Sequence, residues 1–206
     1  MSEKKQSGFI ADAIRLMIIT AIAGLLLGIV YVVTLEPINQ ANLAATVAAY
    51  KQVYPEAADF ADNADSDALI AAAAEELGAQ GYGNTMIDKV VDAKDASGNV
   101  IGHVINATSK EGFGGAVSIS AGIQEDGTLN GIAFLSISES AGLGMNARDT
   151  DWYKQFAGRK EEKYSVTKTG SANDSEIDAI SGATITSRAV TNAVNTAVYF
   201  ANNCMN

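Results

Sequence analysis

A seven-residue run near the C-terminus, Asp178-Ala179-Ile180-Ser181-Gly182-Ala183-Thr184, is followed by Ile185-Thr186-Ser187-Arg188 and concentrates the side chains best suited to chemistry. Hydroxyls fall at Thr184, Thr186 and Ser187, behind a Ser-Gly pair that suits a tight turn. Apolar residues then recur at helical spacing through Val190, Val194, Ala197 and Val198. The pattern predicts a strand end, a turn and a helix start. Such a start presents unpaired N–H groups and the positive end of a dipole, which together bind phosphate. The same residues would also make an ordinary capped helix, and turn chemistry alone does not separate the two readings.

Elsewhere reactive groups are scarce. Cys204 is the one cysteine, so no intrachain disulfide or multi-cysteine metal site is possible within one chain. His103, the one histidine, falls in a predicted strand, where a structural or surface role is the ordinary one. The acids of residues 63–67 match no calcium loop ending in Glu. Neither a catalytic residue nor a metal ligand is expected, and this poverty points to a borrowed cofactor. The formal charge is −10; residues 1–15 hold three basic and two acidic side chains, leaving 11 basic and 22 acidic residues, a net of −11, beyond them. With no basic cluster to offset it, that surface repels phosphate backbones and disfavours a nucleic-acid partner.

The elements that must position the C-terminal run begin with a membrane anchor. Residues 16–35, LMIITAIAGLLLGIVYVVTL, are 20 residues without a charge, enough at helical rise to cross a bilayer core of about 30 Å. Lys4, Lys5 and Arg15 precede the run and Glu36 and Pro37 follow it. The positive-inside rule therefore puts residues 1–15 in the cytoplasm and the chain after Pro37 outside. A cleaved signal peptide is the rival reading, but its apolar region is shorter, about 7–15 residues, and no small-x-small site directly follows. Residues 36–80 read as a helical stalk and linker: a helix over 38–54, then an Ala- and acid-rich stretch with Phe60, Leu69, Ile70 and Leu77 to seat it and Gly78 as C-cap.

Beyond Gly83 the period becomes two. Strands are expected over 86–94 and 100–107, flanking Ser97-Gly98-Asn99, and over 116–124 and 129–137, flanking Glu125-Asp126-Gly127. Residues 151–157 read as a short helix with Trp152 and Phe156 on one face, 164–169 as a strand and 189–200 as the closing helix. Hairpin-joined strands with helices before and after make an α+β fold with an antiparallel sheet. No Gly-x-Gly-x-x-Gly opens a βαβ unit, which disfavours a dinucleotide-type flavin site.

The string Asp178-x-x-Ser181-Gly182-Ala183-Thr184 resembles the flavinylation motif of the FMN-binding domains in Rnf and Na⁺-pumping NADH:quinone reductase (Nqr) complexes. Further segments resemble that family in the same order: Glu111-Gly112-Phe113-Gly114-Gly115, Glu139-Ser140-Ala141-Gly142-Leu143-Gly144, and Asp151-Trp152 with Phe156-Ala157-Gly158-Arg159-Lys160. The likeness covers roughly residues 82–201, and the anchor fits it. The chain departs from the commonest loop at Ser140 for Thr, at Ala141 for Pro and at Ser138 for His. The first swap keeps a hydroxyl; the second removes a φ restraint.

The resemblance implies that residues 81–206 bind FMN, joined through its phosphate to the hydroxyl of Thr184 by a separate flavin transferase that recognises Asp178. It implies that Ser181, Gly182, Ala183, Glu139, Ser140, Gly142 and Leu143 line the flavin and that Phe113 packs near it. Taken singly, Phe113 and Leu143 would also serve as core residues and the glycines as turn formers; with the family pattern in view, close backbone approach to a planar ring is the expectation for the glycines. The implied protein is the RnfG component of an Rnf complex, an electron carrier among other membrane proteins that move ions while passing electrons between ferredoxin and NAD⁺. The NqrC component of the Nqr complex is the alternative of the same class, and an anchored binding or scaffold domain the alternative of a different one.

Overall fold

The computed structural model describes residues 3–205, with side chains from residue 9 onward, so the side chains of Lys4 and Lys5 lie outside the described residues. The chain divides into two units between Ala45 and Thr46. In the first, helix α1 (Glu3–Val53) exposes its apolar side chains all round, Leu16, Leu25, Leu27 and Val30 among them. It is long and apolar enough to cross a membrane. α1 continues through Pro37. A proline there forgoes one backbone hydrogen bond and crowds the carbonyl of Val33, a cost the long apolar helix absorbs.

The second unit begins with the last two turns of α1. Strand β1 (Asp59–Asp62), helix α2 (Ser66–Ala79), and strands β2 (Thr85–Lys94), β3 (Val100–Ser109), β4 (Val117–Gln124) and β5 (Leu129–Ser136) follow. The strands form one antiparallel sheet in chain order, β1-β2-β3-β4-β5. The α+β architecture with an antiparallel sheet and flanking helices is therefore present, and both expected hairpins pair. Two points differ at its edge. Phe60 lies in β1, a strand the sequence does not advertise because Asp-Phe-Ala-Asp has no β-branched residue; charged ends of this kind are how edge strands avoid pairing further. α2 runs past Gly78 to Ala79, with Gln80 at its C-cap, and the left-handed residue after it is Gly81 at φ 72°. With β1 and α2 built in, the compact unit starts at Thr46, well ahead of residue 81.

The period of two sorts the sheet's faces. Ile105 and Ala107 of β3 and Val117, Ile119, Ala121 and Ile123 of β4 point to one face, where they meet helix α4 (Thr184–Cys204) through Val190, Val194, Ala197 and Phe200. Each fully buried Val, Ile or Phe among them contributes about 1.5–3 kcal/mol over its exposed state, and each Ala less. Val91, Val104 and Ala133 point to the other face and meet Ala49, Tyr50, Val53 and Tyr54 at the end of α1. A buried polar chain pins that face: Asn106 Nδ2 donates to Tyr50 Oη (2.8 Å) and Ser120 Oγ donates to Asn106 Oδ1 (2.7 Å).

After β5 come a loop, one helical turn α3 (Asn146–Asp149), a 3-10 turn over Asp151–Phe156, and strands β6 (Ser165–Thr167) and β7 (Glu176–Asp178), which pair in parallel. Trp152 packs edge-on to Phe156, and Phe156 edge-on to Tyr164, so the expected Trp152–Phe156 face exists, with Phe156 buried in the core and Trp152 partly buried against it. His103 faces Asp92 at 2.9 Å on neighbouring strands, a structural placement.

Candidate functional site

β7 delivers the chain to the helix start, and side chains fix its outer edge. Gln155 Oε1 accepts the Asp178 N–H (2.8 Å), Trp152 Nε1 donates to the Asp178 carbonyl (2.5 Å), and Arg159 Nη1 donates to the carbonyls of Asp174 (2.6 Å) and Glu176 (2.8 Å). On the inner edge Ala179 N–H donates to Thr167 O (2.7 Å). The Asp178 carboxylate has its Oδ1 buried without a hydrogen-bond partner. Asp178 stands beside the cavity described below and does not line it.

The turn from Ile180 to Ala183 is closed by Ala183 N–H to Ile180 O (2.9 Å), with Gly182 at φ 75°, a conformation that a side chain would strain. Ser187, fully buried, braces it from the first turn of α4: its Oγ accepts the Ile180 N–H (2.9 Å) and donates to Ala183 O (3.0 Å). The N-cap of α4 is Ala183, which offers no side-chain cap. The hydroxyls at 184, 186 and 187 thus fall inside the helix, and none caps it. Among the described residues no acceptor takes the N–H groups of Thr184, Ile185 or Thr186. A Ser or Asp at the cap would consume one of them; alanine leaves all three pointed outward.

These residues open onto a cavity of about 580 Å³ walled by Phe113, Glu139, Ser140, Leu143, Gly144, Lys168, Ala179 and residues 180–186. The volume lies within the roughly 300–1,000 Å³ common for cofactor sites. The structure therefore brings together Thr184, Ser181, Gly182, Ala183, Glu139, Ser140, Leu143 and Phe113. Gly142 does not reach the wall; at φ 73° it shapes a turn in which Ser140 O accepts from Leu143 N–H (3.1 Å) and Met145 N–H (3.2 Å), and Asn146 Nδ2 donates to Gly142 O (3.0 Å). Those bonds wind the loop without the proline that Ala141 replaces.

Phe113 is 70% exposed, Leu143 46% and Ile185 53%, so none of them is a core residue. They form an apolar collar on the cavity. Of the three helix-start hydroxyls, Thr184 is half-buried in the wall, while Thr186 and Ser187 are 1% and 0% exposed. Glu139 turns its carboxylate inward: Oε2 accepts from Gly114 N–H (3.2 Å) and Oε1 is buried without a partner. Gly112 and Gly144 crowd against it, and a Cβ on Gly144 would lie 2.6 Å from Thr186 Oγ1 and 2.7 Å from Glu139 Cβ. For these two glycines, and for Gly114 against the Ser138 carbonyl, the close approach is to the protein's own loops. The cavity thus joins an anion-seeking helix start to a broad apolar mouth, which fits a ligand with a phosphate at one end and a planar ring at the other.

Lys168 is a wall residue that sequence reasoning passed over. It follows β6 and reads as an ordinary strand end. The available signal was its isolation, since it is the one basic residue between Lys163 and Arg188.

Comparison with known proteins gives the family of the chain. The profile of the FMN-binding domain matches residues 112–199, which contain the glycine loop over 112–115, the 139–144 loop and the start of α4. The G component of the Na⁺-translocating ferredoxin:NAD⁺ oxidoreductase complex of Acetobacterium woodii is 33% identical over 89% of this chain and 86% of that protein. The G component of the ion-translocating oxidoreductase complex of Methanosarcina acetivorans is 32% identical over 90% of each, and that of Escherichia coli 34% identical over 75% of this chain and 72% of its own. Among solved structures, NqrC of Shewanella oneidensis aligns over 57% of this chain and 60% of that one, with 21% identity and a TM-score of 0.47. With a relative this similar along nearly the whole of both sequences, and with an FMN-binding domain over its cavity and helix start, the chain belongs to the RnfG family, the G components of ion-translocating oxidoreductase complexes.

Proposed function

We propose that this protein is a membrane-anchored electron carrier whose FMN is bound covalently, as a phosphoester of Thr184, and that it works within an Rnf-type complex passing electrons between ferredoxin and NAD⁺. The observation that carries the reading is which hydroxyl of the first turn of α4 is accessible. Thr184 stands in the cavity wall at the first position of α4, beside three unpaired N–H groups, while Thr186 and Ser187 are buried. The N–H groups and helix dipole favour a phosphate there. Flavin supplies the one- and two-electron chemistry that this chain's side chains lack. The chain's own residues do the rest: Ser181, Gly182 and Ala183 shape the turn, Glu139 clamps the glycine loop, and Phe113, Leu143 and Ile185 exclude water from the ring. A flavin transferase makes the bond during maturation. Lys4, Lys5 and Arg15 ahead of the apolar run support an orientation with residues 1–15 inside and the flavin domain on the outer side of the cell membrane.

The test is coexpression with a flavin transferase, followed by denaturing-gel fluorescence and a peptide mass across residues 180–187. Wild type should carry one FMN on Thr184, and Thr184→Val should carry none. The valine keeps the volume and β-branching of threonine, so its stability should stay within about 1 kcal/mol of wild type. Flavin retained in Thr184→Val, or found on Thr186, would refute the assignment.

A further inference from the structure

The cavity wall carries two charged side chains among the described residues, Glu139 and Lys168. Their situations are opposite. The Glu139 carboxylate is turned into the loops, onto Gly114 N–H. Lys168 is exposed, and none of the ion pairs among the described residues involves it. Its position is set by the backbone. β6 runs parallel to β7, and Thr167 O accepts from Ala179 N–H, so the residue after Thr167 is held against the segment that leads from Ala179 to Thr184. In a chain of net charge −10, one ammonium without a carboxylate ion-pair partner stands at this wall.

Resting on the FMN reading above, we infer that Lys168 sets the redox potential of the bound flavin, its ammonium acting as the counter-charge to the anionic reduced ring. The charge balance is simple. Two electrons and one proton taken up by neutral isoalloxazine leave a ring with one negative charge; the electrons come in the complex from a one- or two-electron donor protein and in the assay from a chemical reductant such as dithionite. The oxidised ring is neutral, so a nearby cation acts almost wholly on the reduced form and makes reduction easier. A phosphate on Thr184 would have partners in the N–H groups of Thr184, Ile185 and Thr186, so the Lys168 ammonium on the same wall would not be needed to balance it and would act on the charge the ring gains on reduction. The Lys168 ammonium is exposed, so its attraction is modest and is trimmed by salt.

The experiment compares the full-length, flavin-loaded wild type with Lys168→Gln and Lys168→Arg by spectroelectrochemical titration, with flavin per chain measured by mass in the same samples. Lys168→Gln should load fully and disfavour the reduced ring about tenfold, which lowers a two-electron midpoint by about 30 mV. Lys168→Arg, which keeps the charge, should stay near wild type, and added salt should shrink the gap between wild type and Lys168→Gln. A purely structural lysine would move loading or stability and leave the midpoint of the loaded fraction unchanged. An unshifted midpoint in loaded Lys168→Gln overturns the inference, as does an equal fall in both variants, which would mark shape and not charge. Reduced loading with an unchanged midpoint would overturn it in favour of a phosphate contact. A wild type without covalent flavin would instead overturn the FMN reading, and this inference with it.

Discussion

Ser187→Ala isolates one brace of the site. The side chain is fully buried and does two things: it accepts the N–H of Ile180 and donates to the carbonyl of Ala183, tying the turn to the first turn of α4. The Ala183 carbonyl keeps a partner in the variant, because it also accepts the backbone N–H of Ser187 (3.0 Å). Ile180 N–H has no second acceptor among the described residues and lies buried, so the change strands one donor. Leaving a buried donor unmade costs about 1–3 kcal/mol, and the lost oxygen adds little because the void is smaller than a water. The compact unit beginning at Thr46 is about 160 residues long, for which each kcal/mol moves the melting point by about 2–4 °C. The expected drop is therefore about 2–12 °C, measured by calorimetry on the full chain in detergent and by urea unfolding. Ser181→Ala is the control, because that residue is exposed in the same turn; it should change stability by less than about 0.5 kcal/mol. If both variants unfold alike, the turn does not depend on Ser187 and its account is wrong.

Gly144→Ala forces a Cβ against Thr186 Oγ1 and Glu139 Cβ, so it should cost about 1–3 kcal/mol in urea unfolding and lower flavin absorbance per chain; normal loading with normal stability would show that the loops yield freely. Tyr54 and Tyr164 are pushed up to about 12, foremost by burial, and Tyr199 to about 12 by its hydrogen bond to Glu76. These folded pKa values exceed the ordinary 10, so the stability they carry is complete below about pH 10 and is lost as pH rises towards 12. Near-ultraviolet absorbance should show these three tyrosines ionising last, together with alkaline unfolding; ionisation near pH 10 without unfolding would contradict the environments described for them. Protease applied to intact cells should remove the domain beyond Pro37, whereas labelling of Cys204 only after lysis would reverse the proposed orientation.

Sequence reasoning reached the sheet because period two and hairpin turns are local signals: β2 to β5 lie within about a residue or two of the expected spans. It missed β1, since an edge strand reading Asp-Phe-Ala-Asp owes its form to pairing with β2 and not to its own preference. Gathering the cavity wall from three distant segments rested on family likeness, because spacing along the chain says nothing of which loops meet. Even so, likeness said little about what each residue does there. The burial of Ser187 and Thr186, the inward turn of Glu139 and the presence of Lys168 depend on packing around α4, and packing is written in no short motif.

An alanine at the head of α4 has a consequence for the life of the protein after synthesis. A good capping residue there would contribute about 0.5–2 kcal/mol, and this helix does without it. A phosphoester on Thr184 would accept those N–H groups and return that stability from outside the amino-acid sequence. With that bond, the unmodified chain would open more often than the finished one, and surveillance proteases sample open chains in proportion to that population. Maturation and turnover would then be linked through one helix end, with unfinished copies cleared in preference to working ones.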